Sequence, residues 1–157
     1  MSINERTPTT ARAVAIGMAA GALGTAAMTA AQTVEIRLTG RKPSMVPAEV
    51  AAKLLRRPRK TRKDPRLNWA MHWAHGTSMG AVRGLFDLAG LRGPRASLVH
   101  FALLWPTDGL LYRALDVAAA PWHWSRSEVA TDVGHKLLYS VVTGVAYDSL
   151  TSDARGA

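Results

Sequence analysis

Gly76, Gly80 and Gly84 recur at every fourth residue within Asn68–Gly90. A four-residue step returns to the same side of an α-helix. The stretch is therefore predicted to be a helix with a smooth stripe that lets another backbone come close. A parallel stripe, His75, Met79, Arg83 and Asp87, holds most of the ionisable groups of the segment. Such a helix must turn its charges toward protein while its glycines receive a neighbour.

Charge elsewhere is segregated. The 157 residues carry a formal net charge of +9 and are 48% hydrophobic. Of the 20 Lys and Arg, eight fall between Lys53 and Arg66, whereas Ala13–Val34 has none. Blocks of this kind suit a membrane protein with a basic loop, or a basic segment touching nucleic acid. The absence of cysteine excludes disulfides, thiolate chemistry and Cys-ligated zinc or iron–sulfur clusters.

In chain order, residues 1–12 are polar and are expected to be a disordered tail. Ala13–Val34 is 22 uncharged residues, about 33 Å of helix, close to the thickness of a bilayer core. Gly17 and Gly21 form a small-xxx-small pair on it. Two other readings of this run stand open: a cleaved signal peptide, with small residues at Thr29–Ala31, or a buried helix of a soluble protein. Glu35 and Arg37 are expected to mark the membrane exit.

Residues 35–67 form a basic loop, with a short helix expected from Pro47. On it Val50, Ala51, Leu54 and Leu55 share one face. Lys53, Arg56 and Arg57, followed by Arg59 and Lys60, are candidate contacts to anionic lipid headgroups. No aromatic residue lies between Arg37 and Leu67, so no stacking platform for single-stranded nucleic acid exists there, and nucleic acid is disfavoured as a partner.

Further apolar spans are expected at 68–90, 96–112 (with a kinking Pro106) and 129–150, with 151–157 as a tail. Trp69, Trp73 and the Pro121–Trp124 cluster read as interface anchors. His75 and Gly84 have the same separation as His135 and Gly144, which suggests two repeated two-helix hairpins. The loop from Arg37 to Arg66 carries eleven Lys and Arg, so the positive-inside rule puts it in the cytoplasm and both termini outside.

The fold class read from these features is all-α: a polytopic membrane protein of four transmembrane helices. Gly17, Gly21, Gly76, Gly80, Gly84 and Gly144 are its packing residues. Arg83, Asp87, Asp108, Asp132 and Tyr139 form a polar seam, because a charge at mid-bilayer costs about 3 kcal/mol and must face protein or water. Arg83 and Asp87, four apart, are expected to pair on their own helix.

His72, His75, His100 and His135 raise the alternative of a divalent metal or a haem, since ligands on facing helices build such sites in bundle cores. Proton or ion handling by His and Asp is a third class. No nucleophile elbow, phosphate-cradling loop or H-E-x-x-H is present. The preferred function is non-enzymatic and without a cofactor: a small integral membrane protein acting as subunit or stabiliser of a larger assembly. Its expected partners are the bilayer, other membrane subunits or further copies of itself.

The order of features is a glycine-rich first helix, a basic loop with Arg41-Lys42-Pro43-Ser44, H-G-x-x-x-G at His75–Gly80, then two more spans. This order resembles that of the YagU-like small inner-membrane proteins of bacteria. The resemblance implies a multi-pass protein of the bacterial cytoplasmic membrane and a tie to acid resistance in one member. It brings no catalytic residues.

Overall fold

A computed structural model describes residues 9–156, with side chains described as far as Ser152. Among the described residues there are helices and no strand. They are α1 (Thr10–Thr39), α2 (Val46–Leu54), α3 (Pro65–Leu88), α4 (Gly93–Ala114) and α5 (Arg126–Gly156), with 3-10 turns at Arg59–Lys63 and Pro121–His123.

Most boundaries have a local cause. The Thr9 side chain caps α1 by accepting the Arg12 N–H. The helix does not stop at Glu35, because nothing there breaks it. It ends where Gly40 takes a left-handed conformation (φ 69°) and donates its N–H to the Ile36 carbonyl at 3.0 Å. Asp64 caps α3 through the Arg66 N–H at 2.9 Å, with Pro65 in the first turn. Gly90 (φ 77°) closes its far end. α4 continues through Pro106.

Both tails differ from expectation. Residues 1–8 of the proposed N-terminal tail lie outside the described residues, while Thr10–Arg12 belong to α1. Residues 151–156 continue α5.

The four long helices alternate in direction. α1 packs most extensively on α3, then on α5, and α4 packs on α5. The register of α1 against α3 is set by glycine. A Cβ on Gly21 would stand 2.7 Å from the Gly76 carbonyl oxygen, and one on Gly80 would stand 2.5 Å from the Gly21 Cα. Gly17 opposes Gly80 and Gly84 opposes Ala13 in the same way, while Gly76 makes room for the Thr25 side chain, so none of these glycines can take a Cβ without a shift. Gly144 gives the corresponding room on α5, where Ser97 of α4 enters. α2 lies across α3, burying Ala48, Val50, Ala51 and Ala52. Its start is tied down by Asn68, whose side-chain oxygen accepts the Ala48 N–H at 3.0 Å.

Polarity is inverted relative to a water-soluble bundle. Arg83, His100, Ser140 and Thr143 are wholly buried, as are all but traces of Asp87 and Asp108. The outside of the same segments is apolar. Between Ala13 and Ala30 the exposed positions of α1 are Ala15, Met18, Ala19, Leu23, Ala26 and Ala30. Between Ala130 and Val145 those of α5 are Ala130, Gly134, Leu137, Val141 and Val145. On α4, Leu98, Val99, Leu103 and Leu110 point outward. Of the described helices, α1 is the one both long and apolar enough to cross a membrane by length and composition.

Candidate functional site

A cavity of about 830 Å³ lies at the end of the bundle where α1 finishes and α3 begins. It reaches the surface between Thr33 and Glu128, both exposed. Met28, Ile36, Trp69, Met79, Leu104 and Leu111 supply much of its apolar wall, and Gly76 and Tyr139 also line it.

The polar wall is built around Asp108 of α4, whose side chain is 4% exposed. One of its oxygens stands 3.1 Å from Nε2 of His75 on α3. The other is 3.2 Å from Nζ of Lys136 on α5 and accepts from the Tyr112 hydroxyl at 3.4 Å. Lys136 also reaches Asp132, one turn earlier, at 3.1 Å, and Asp132 accepts the Trp105 indole N–H at 3.0 Å. Three helices thus contribute to one chain of ionisable groups, in which Lys136 lies within reach of two carboxylates and Asp108 also faces the His75 imidazole.

At the mouth, Arg41 reaches back over the end of α1 and grips Glu35 with two guanidinium nitrogens, at 2.7 to 3.2 Å. That hydrogen bond holds the Arg41 guanidinium above its ordinary value, against a smaller effect of burial.

The four histidines considered as ligands do not converge. His72 shares a hydrogen bond with Thr29 at 2.9 Å and stacks on Trp69. His75 faces Asp108, and His135 sits on the cavity wall near Glu35. His100 is turned away, 3.0 Å from the Met79 carbonyl, with its ring against Phe86 and Tyr139. Among the described residues no group of three or more His, Asp or Glu side chains stands where it could hold a metal ion.

The polar seam divides into two clusters. Asp108 and Asp132 belong to the cavity, where Tyr139 donates its hydroxyl to the Gly76 carbonyl at 2.6 Å. Arg83 and Asp87 lie toward the other end, and they are not each other's partners. Arg83 reaches Asp148 of α5 at 2.5 Å and lies over the Tyr147 ring at 4.6 Å. Asp87 pairs with Arg92 and accepts from the Tyr147 hydroxyl at 3.3 Å. The expected order, Arg ahead of Asp on one helix, is the weaker one for a helical pair, and both side chains find partners off the helix.

Among the residues considered as lipid contacts, Arg56, Arg57, Arg59 and Lys60 are exposed. Lys53 is turned inward instead. Its ammonium donates to the Leu115 and Asp116 carbonyls and so ties α2 to the α4–α5 connection.

Sequence reasoning passed over Asp148, Tyr112, Trp105 and the Glu35–Arg41 pair. Asp132 and Lys136, four apart, carried a readable signal for their pairing. Partners on other helices left none. Compared with known proteins, the chain matches no family model, no curated protein and no solved structure.

Proposed function

We propose that this chain is a four-span protein of a bacterial cytoplasmic membrane, non-enzymatic, serving as subunit or stabiliser of a larger membrane assembly or of its own oligomer. The observation that carries the reading is the inverted polarity. Arg83, at 0% exposure, is held inside while Leu98, at 61%, and Val145, at 62%, are held outside. In water this arrangement exposes apolar surface and buries charge, two unfavourable choices at once. In lipid the apolar outside meets an apolar solvent, and the bundle interior is where a charged side chain costs least.

α3, α4 and α5 carry charged residues that lower their hydropathy, and within their middle turns those charges point into the bundle. Composition alone therefore understates their fitness for lipid. Apolar positions facing outward on α1, α4 and α5 also offer surface for neighbouring subunits. The end holding α2 and the Arg56–Lys63 run is the cytoplasmic end in this reading. The resemblance to YagU-like proteins is compatible with the same placement.

Native mass spectrometry of the protein released in mild detergent tests the function: complexes with a second subunit or multiple copies are expected, and a lone monomer under all conditions contradicts it. An alkaline carbonate wash tests the membrane placement separately, since the chain should stay with the membranes.

A further inference from the structure

We propose that the cavity is a proton half-channel: it admits protons from the basic end to the His75–Asp108–Lys136–Asp132 network and is closed toward the opposite end by Arg83. The inference rests on the membrane reading above and assigns a ligand to its interior.

The charges on the cavity wall point to that ligand. The cavity wall carries Glu35, Asp108, Glu128 and Asp132 against Arg37, Arg41 and Lys136, so with neutral imidazoles it holds one carboxylate too many, and Asp108 and Asp132 share Lys136. A single positive charge beside Asp108 balances the network. His75 is placed to carry it, with its side chain one-third exposed to the cavity and Nε2 3.1 Å from an Asp108 oxygen. A hydronium ion entering from the basic end transfers its proton to the His75 imidazole and leaves as water; release is the reverse. The groups facing this event are His72 on the same helix, Asp108 and Tyr112 from α4, and Asp132, His135, Lys136 and Tyr139 from α5, with Glu35 and Arg37 of α1, Arg41 and Glu128 also on the wall.

A second observation concerns what lies past the cavity floor. The imidazole Nδ1 of His100, the hydroxyl of Ser140, and Nε and Nη1 of Arg83 are buried without a protein partner among the described residues. Buried polar atoms of this kind are satisfied by internal water. Beyond the cavity floor Arg83 places a wholly buried guanidinium across the bundle interior, and in this proposal it is the barrier that an approaching proton meets. Asp148 and the Tyr147 face hold that guanidinium in place. In this proposal protons reach the Asp108 network and stop at Arg83.

The test uses the full chain in lipid nanodiscs, with nitrogen NMR of labelled histidine rings. Over a scan from about pH 8 down to about pH 5, one imidazole signal, missing in His75→Gln, should report reversible uptake of a proton. Asp108→Asn, or Asp132→Asn if the former does not assemble, should weaken this response to acid, because it removes the carboxylate that faces the ring. A His75 ring that never changes over this range, or one indifferent to both variants, overturns the proposal.

Vesicles carrying an internal pH dye read the closure. Wild type and Arg83→Lys should be tight to protons, and Arg83→Gln should leak at least about tenfold faster. A wild type that leaks as fast as Arg83→Gln overturns it. Failure to enter nanodiscs at all would be a failure of the membrane reading instead, and is recognised before any titration begins.

Discussion

Glycine and arginine do opposite work at the residue scale, and both can be tested by single changes. Gly80 sits where a Cβ would reach 2.5 Å from the Gly21 backbone, so Gly80→Leu must push α1 and α3 apart. A destabilisation of about 3 kcal/mol or more is expected from such overpacking. Ser78→Leu, on an exposed position one half-turn away, should be nearly neutral. Thermal denaturation in detergent measures both, and equal effects would remove the contact. Asp148→Ala strands the guanidinium of Arg83 and should cost about 3 kcal/mol. Arg83→Met/Asp148→Ala should recover part of that loss, because no uncompensated charge remains.

The glycine stripe is legible in the sequence because close backbone approach admits so few residue types. The partner of Arg83 is not, because an ion pair across helices leaves no spacing signature. Lys53 shows the same limit: its charge suggested headgroups, yet its ammonium ends at backbone carbonyls of the α4–α5 connection.

At the scale of elements, helix ends follow local chemistry closely enough to be engineered. α2 ends in a turn in which Arg57 donates to the Ala52 carbonyl at 2.7 Å, with Arg56 between them at a φ of 49°. This left-handed position favours glycine, and a side chain there costs about 1 kcal/mol. Arg56→Gly is therefore expected to stabilise the chain by roughly that amount, read as a higher melting temperature; a lower one would mean that the arginine makes a compensating contact.

The positions that suggested two repeated hairpins make unlike contacts. Gly84 admits the backbone of Ala13 and Gly144 admits the side chain of Ser97. His75 and His135, nine residues earlier on each helix, both line the cavity. The periodic spans announced four long helices. They did not announce where each would stop, since Glu35 and Arg37 look like an exit and the helix outlasts both until Gly40.

For the whole molecule, the account stands on charge kept inside and apolar side chains kept outside. The ends of the bundle then differ sharply: Arg56, Arg57, Arg59 and Lys60 are exposed at one, and Arg92 and Arg95 at the other. The chain has no cysteine, so single cysteines report cleanly on which side they face. The deciding measurement is labelling of Arg59→Cys and Arg95→Cys in intact cells by a membrane-impermeant maleimide, repeated after permeabilisation. Arg95→Cys should react in intact cells and Arg59→Cys only once the membrane is opened. Reaction of both from the same side, or recovery of the chain in the aqueous fraction, would contradict the account.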